Sequence, residues 1–370
     1  LREVSMEQQN RRYVGIDLAK RTMEVRILQD DHAAIAWNQK TDQEGLERLA
    51  KKLTHSDLVA FEACGTAFPL ARFLMKQVGC EVVVLNPGTL AMIWASTRKT
   101  DAEDAMKIAQ FIQRHPREEL PIVALPSQKE EDRRAMVSEL ESKKGLRNQL
   151  VNRLHALYHR IGIVGLTCGD LKNTENREKH LVHLGGRMLT QAKRINAELD
   201  LLEQHIAEIK EEITVELREE PLTPILMSVP GVGTVLAMAF LAHVGDGSRF
   251  TSGRQVANFA GMTPRIDASG DTIRLGAITK RGCTVLRSIA VKAAWAAIHS
   301  DSAPQMKKKY ESIQARRGKA RAIVAIARHL LELMWAVSVH KEYYRTSSLQ
   351  FRQAKLARLG MKSNPVGSVA

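Results

Sequence analysis

The chain has 370 residues with 55 Lys+Arg against 41 Asp+Glu, a formal charge of +14, and its 44% hydrophobic and 26% charged residues describe a folded rather than a disordered protein. Residues 1–115 carry 16 basic and 15 acidic residues, 116–222 carry 17 and 19, and 223–370 carry 22 and 7. The whole excess therefore lies in the C-terminal part, which disfavours a uniformly charged small-molecule enzyme and fits a polyanion partner, above all nucleic acid.

Compartment and membrane character come from a few local features. Cys64, Cys80, Cys168 and Cys283 are far apart with no C-x-x-C spacing, so neither a zinc site nor a disulfide framework is indicated. The N-terminal LREVSMEQQNRRYVG has no apolar run of the signal-peptide kind, and the expectation is a cytoplasmic, nucleoid-associated protein. From Pro221 to Val244 there is no charged residue, but Pro221, Pro224, Pro230, Gly231 and Gly233 interrupt the run, which reads as two buried helices around a turn.

In chain order, RRYVGIDLA, MEVRILQD and HAAIAWNQ read as three strands, and DQEGLERLAKKL as an amphipathic helix capped by Thr41 or Asp42. DLVAFEA is a fourth strand, FPLARFLMKQVG a helix ended by Gly79, and CEVVVLNP a fifth strand stopped by Pro87. Two helices follow, near Gly88–Ser96 and Ala102–Arg114. This order, in residues 1–125, is that of a ribonuclease-H-like α/β fold, and the pattern alone would fit other α/β sheets as well. Residues 126–220 change character. Leu146, Leu150, Leu154, Leu157 and Ile161 recur at helical spacing, as do Leu199, Leu202, Ile206, Ile209 and Ile213, with Gly185-Gly186 between the runs. The reading is a long antiparallel helical coiled-coil connector suited to pairing subunits. Residues 221–346 read as mainly helical with a Gly/Ser/Asp-rich loop at 263–276. Residues 347–370 read as a basic tail, mobile until it meets an anion.

Three constellations carry candidate chemistry. Asp17 lies inside an apolar strand, Glu62 ends another, and Asp101 and Asp104 share a face at the start of a helix. In a ribonuclease-H-like sheet these four converge, and crowded carboxylates call for cations, with oxygen-only donors selecting Mg²⁺ or Mn²⁺. Second, VPGVGTVLAMAFLAHVG reads as a helix-hairpin-helix in which Gly231, Gly233 and Thr234 present backbone N–H groups to DNA phosphate. Third, PRIDASGDTIRLGAITKRGCTVLR places Ser269 in a turn among Arg265, Arg274, Lys280, Arg281 and Arg287. There a serine hydroxyl could attack a phosphodiester while guanidinium groups stabilise the developing charge.

Together YVGIDLAK, FEACGT, KTDAEDA, the SVPGVGTVLAMAFLAHVGDGSRFTSGRQVANFAGMTPR stretch, SG and ITKRGCTVLR resemble the DEDD transposases of the insertion sequence 110 family, also described as bridge-RNA-guided recombinases. The resemblance spans residues 12–340. It implies a RuvC-like domain binding divalent metal through Asp17, Glu62, Asp101 and Asp104, and a nucleophilic serine mapped onto Ser269. It also implies homo-oligomers, dimeric or tetrameric, acting with a guide (bridge) RNA on donor and target DNA through a covalent serine–DNA intermediate. The chain departs from many relatives in reading Ala268-Ser269-Gly270-Asp271 where they have Ser-Ser-Gly-Gly, which leaves Ser252 and Ser288 as alternatives to Ser269. Two other readings stand beside the recombinase: a RuvC-like structure-specific nuclease using metal and water alone, and a non-catalytic basic nucleic-acid-binding protein.

Overall fold

A computed structural model describes residues 11–29, 32–93, 100–269 and 272–361. The chain forms two compact units, Leu1–Ser127 and Gln128–Ala370.

In the first unit, β1 (Tyr13–Leu18), β2 (Thr22–Gln29) and β3 (His32–Lys40) form an antiparallel meander. They are followed by α1 (Gln43–Lys52), β4 (Leu58–Glu62), α2 (Ala67–Gln77), β5 (Glu81–Leu85), α3 (Pro87–Ile93) and α4 (Asp101–Arg114). The strand order is β3-β2-β1-β4-β5, with β1, β4 and β5 mutually parallel, giving a mixed five-stranded sheet. The meander and the alternation after it match the element order read from the sequence. Asp42, not Thr41, caps α1, its Oδ1 accepting from Gly45 N at 2.9 Å. Of the helix expected near Gly88–Ser96, the final residues lie outside the described residues.

Strand alternation divides this unit into two cores. Val14, Ile16, Val59 and Phe61 pack with Leu49 of α1 and Leu70 and Leu74 of α2. Leu58, Ala60 and Val83 face the other way, onto Ile108, Phe111 and Ile112 of α4. The register of β1 on β4 is pinned at its start by a two-pronged ion pair. Arg12 Nε and Nη2 donate to the fully buried Asp57 carboxylate at 2.8 and 2.7 Å, and Arg12 O accepts from Leu58 N at 3.0 Å.

The second unit begins with α5 (Gln128–Arg160), then α6 (Thr174–His180) and α7 (Gly186–Arg218). Val137 and Leu140 of α5 share a core with Ile206, Ile209, Ile213 and Leu217 of α7, whereas Leu150, Leu154 and Leu157 share another with Ala192, Ile195 and Leu199. The two 33-residue helices are therefore antiparallel. Leu146 and Ile161, placed on the apolar stripe from spacing, are exposed. Between the helices lies a short lobe organised by Arg177, 1% exposed, which donates to Leu171 O, Lys172 O and Thr174 Oγ1 and pairs with Asp200.

The larger core gathers α8 (Thr223–Met227), α9 (Thr234–His243), α10 (Gly253–Phe259), α11 (Thr284–Ile298), α12 (Pro304–Arg317), α13 (Lys319–His340) and α14 (Leu349–Ala357). The base of the α5–α7 pair belongs to this core as well. The uncharged stretch from Pro221 forms α8 and α9, both buried around a turn. α13 is long and apolar enough to cross a membrane, but half of its apolar window is buried here, the pattern of a core helix.

Two expectations are corrected. Residues 264–278 are not a loop: β6 (Pro264–Ser269) and β7 (Thr272–Ile278) form an antiparallel hairpin, because apolar residues alternate through it. The beginning of the tail is not free. α14 docks through Leu356 and Leu359, and Lys355 Nζ donates to Val229 O and Val232 O at 3.2 and 2.6 Å. Burial pushes the Lys355 ammonium down to about 8, so a residue counted as surface charge serves as a cap on the α8–α9 turn.

The end of α9 carries an acid-sensitive group. Burial, then the adjacent Arg134 and Arg249, push His243 down to about 4 from its ordinary 6.5. The folded state holds it neutral, so its stabilising contribution is complete above pH 6.5 and is lost as pH falls toward 4, by about 3 kcal/mol at the limit. Urea midpoints at pH 7 and pH 4.5 are expected to fall further for the wild type than for His243→Gln. Equal falls would show that this histidine does not govern acid stability.

Candidate functional site

The four candidate carboxylates belong to three elements of the first unit. β1 and β4 pair in register with Ile16 opposite Phe61, so Asp17 and Glu62 are the next residues on adjacent parallel strands. Since Ile16 and Phe61 face the α1–α2 core, alternation turns Asp17 and Glu62 to the α4 side. α4 lies close over β1 because position 15 is glycine: an added Cβ there would sit 2.1 Å from Ala105 O and 2.5 Å from Ala109 N. Phe111 and Ile112 share a core with Tyr13 and Leu58, at the amino ends of β1 and β4. The first turn of α4, with Asp101 and Asp104, therefore falls over the carboxyl ends of those strands. All four residues come to one end of one layer.

Their side chains are not gathered into a ligand sphere. Among the described residues, no three His, Cys, Asp or Glu side chains form a group that could hold a metal ion. Asp17, Glu62 and Asp104 are half-buried and Asp101 is exposed. Lys107 Nζ approaches Asp104 Oδ1 at 3.3 Å, and Thr100 Oγ1 accepts from Glu103 N at 3.3 Å to cap the helix. Placement and donor chemistry nevertheless suit a hard divalent cation: four carboxylates, oxygen donors only, reached from one face.

A fifth carboxylate, not singled out by any motif, stands beside these four. Glu24 of β2 is the register partner of Asp17 and shares its face of the sheet. It pairs with Arg26 at 2.5 Å and accepts from Asn38 Nδ2 at 3.0 Å. Only strand register makes it a neighbour of Asp17; the alternation within MEVRILQD says which face it is on, not what stands opposite.

The second unit holds the other candidates. Ser269 is the last residue of β6, in register with Thr272; its side chain, and Gly270 and Asp271 beyond it, lie outside the described residues. Asp267 and Arg274 are register partners, and Gly276 lies beside Arg265, 3.6 Å from its Cβ when given one of its own. Arg265, Arg274, Lys280 and Arg281 are exposed. Arg287 is half-buried and donates to Ala260 O at 2.8 Å and Thr284 Oγ1 at 3.2 Å, a packing role that leaves it less free for phosphate. Ser288 is exposed on α11, and Ser252 precedes α10.

At the α8–α9 turn the two glycines differ. Gly231 has φ +84° and approaches α11 so closely that a Cβ would lie 2.4 Å from Ala297 Cβ, so the position admits no side chain. Gly233 is exposed, with open space around it, and precedes α9 without a side-chain cap; Thr234 is half-buried.

Comparison with known proteins places both units. Residues 14–162 match the family model of the DEDD transposase of IS110 elements, and residues 223–311 match that of the transposase IS116/IS110/IS902 family. A probable family 20 transposase of Pseudomonas aeruginosa is 27% identical over 90% of this chain and 98% of its own length. The transposase for insertion sequence element IS1111A of Coxiella burnetii is 27% identical over 78% of this chain and 79% of its own. A pilin gene-inverting protein of Moraxella bovis is 23% identical over 88% and 95%. With an N-terminal mixed sheet of ribonuclease-H-like DEDD type and a mainly helical C-terminal region, both matched in order, the chain belongs to the IS110/IS116/IS902 family of transposases and is a DNA transposition enzyme.

Proposed function

We propose that this transposase cuts and rejoins DNA strands by phosphoryl transfer, with Asp17, Glu62, Asp101 and Asp104 holding divalent metal, Mg²⁺ or Mn²⁺, and Ser269 acting as the nucleophile. The observation that carries the metal assignment is the arrival of Asp17, Glu62 and the first turn of α4 at one end of one layer. A bound ion of this class supplies charge neutralisation at the phosphodiester oxygens. The protein's own contribution is to hold four carboxylates on rigid elements, two on paired strands and two on a capped helix.

The serine assignment rests on the family resemblance of the Ala268-Ser269-Gly270 stretch and on the exposed Arg265, Arg274, Lys280 and Arg281 near it in the chain. In the proposed step Ser269 Oγ gives up its proton and bonds to phosphorus. The bond from phosphorus to the departing strand's oxygen breaks, and that oxygen leaves protonated as a free hydroxyl. A hydroxyl of the new strand then attacks the same phosphorus and releases serine, so no external energy source is needed. Rejoining also agrees with the name of the Moraxella relative, since inverting a segment requires both ends to be resealed. Gly233 and Thr234 at the helix-hairpin-helix turn fit a DNA phosphate contact. A guide RNA, a homo-oligomer built through the coiled-coil pair α5–α7, and a cytoplasmic, nucleoid-associated location complete the reading.

One experiment tests the nucleophile. The full chain, its RNA and labelled substrate DNA are incubated with Mg²⁺ and run on a denaturing gel. A protein–DNA adduct is expected, absent with Ser269→Ala and absent when ribonuclease precedes the DNA. An adduct that survives Ser269→Ala moves the role to Ser252 or Ser288, and cleavage with no adduct at any stage favours a nuclease using water.

A further inference from the structure

One corner of the second unit concentrates cations that neither the fold nor the sites above use. α12 buries Met306 and Tyr310 and half-buries Ile313, at spacings of four and three, so Lys308 lies on its outward face and Lys309 and Arg316 along one exposed flank. The helix ends at Gly318, φ +79°, and α13 starts at once with Lys319 and Arg321. With Arg317, these six side chains are all exposed. Among the described residues, none of them forms an ion pair.

Two helical cations of this unit show the paired alternative. Arg328, further along α13, meets Glu332 at 2.7 Å, and Arg133 of α5 meets both Glu216 and Glu220. At the α12–α13 corner like charges instead crowd together, and Lys319 and Arg321 also oppose the dipole of a 22-residue helix. The arrangement costs stability in the free protein and is relieved by an anion spread over the same span. Lys308 to Arg316 is eight residues of helix, about 12 Å, a length over which duplex DNA presents about seven phosphates.

We propose that this corner is a docking surface for the backbone of duplex DNA. The inference rests on the DNA transposition activity of the family, not on the roles given to Ser269 or the carboxylates. Duplex is favoured over single strands because single-strand sites interleave exposed aromatics for base stacking. Here Tyr310 is turned inward, the outward face of α12 has no aromatic residue, and the exposed Trp295 belongs to α11, its ring 5.9 Å from that of Tyr310. Backbone contact of this kind positions DNA without reading its sequence.

The test measures binding of a labelled 30-bp duplex of arbitrary sequence to the full chain as salt rises. The quadruple variant R316A/R317A/K319A/R321A is expected to lower the slope of log K against log salt by about 3 to 4 and to bind at least tenfold more weakly near 0.1 M salt. A variant of equal charge change on α7, R187A/K193A/R194A/K210A, is expected to keep the wild-type slope to within about 1. The lysine variant R316K/R317K retains the charge and is expected to bind as the wild type does, and melting curves confirm that each variant folds. Equal slopes for the two quadruple variants would overturn the proposal, and so would loss confined to an RNA duplex of the same length. Cleavage by the α12–α13 variant at low salt, with DNA saturating, is expected to stay at the wild-type rate. A loss there would bear on the catalytic reading and not on this surface.

Discussion

A protein carrying Asp17→Asn is expected to bind DNA normally and to lose strand cleavage by roughly three orders of magnitude or more, the scale of removing a charged group from a metal-assisted phosphoryl-transfer site. Asparagine keeps the shape of the side chain, so the half-buried end of β1 need not reorganise. What is lost is one negative charge at the centre of a row. Glu62 is beside Asp17 on β4, Glu24 is opposite it on β2, and Asp101 and Asp104 start the helix laid across β1. Single-turnover cleavage at saturating DNA separates this loss from any change in affinity. Cleavage within tenfold of the wild type would remove Asp17 from the catalytic set and with it the reading of the carboxyl ends of β1 and β4 as the metal site.

Gly15→Ala is expected to destabilise the first unit by about 3 kcal/mol, a fall in melting temperature of roughly 10 °C, because the added methyl meets backbone and cannot be relieved by a rotamer change. The oxygen of Ala105 and the nitrogen of Ala109 stand 2.1 and 2.5 Å from the new Cβ, so α4 must move away from β1 as a body. That movement carries Asp101 and Asp104 away from Asp17 and Glu62. Cleavage by the folded fraction is therefore expected to fall along with stability, measured well below the variant's melting temperature. Gly65→Ala provides the comparison: nothing lies within 4 Å of its added Cβ, and a change within about 0.5 kcal/mol is expected. Full cleavage by folded Gly15→Ala would show that the spacing of α4 over β1 does not matter to the chemistry.

Much of the first unit was legible because its signals are local. β1 and β4 are short apolar runs, β2 alternates, Asp42 caps α1, and positive φ at Gly79 follows the end of α2. The acidic residues were legible as members of a motif, and their positions at strand ends and a helix start follow from the same local signals. Glu24 was not legible, since its place beside Asp17 depends on how β2 pairs with β1.

In the second unit periodicity located α5 and α7 but misassigned the ends of the stripe. Leu146 and Ile161 satisfy helical spacing yet remain exposed, because which turns are covered depends on the partner helix and not on the pattern. In the 264–278 segment glycine, serine and aspartate point to a loop and obscure the alternation that builds β6 and β7. The close approach of Gly231 to Ala297 was not legible either, since it depends on how α11 packs against the turn.

By itself the sequence determined the order of elements, the family motifs, the four carboxylates and the concentration of positive charge in the last 148 residues. These depend on side-chain type and on spacings of two to four residues, which the chain carries locally. Tertiary structure decided which charges are free. Lys355 is enclosed over two carbonyls and Arg287 is engaged by Ala260, while the exposed cations of the α12–α13 corner have no ion pair among the described residues. The difference has a single physical origin: a formal charge is a property of one residue, but its solvation and its partners are properties of everything packed around it.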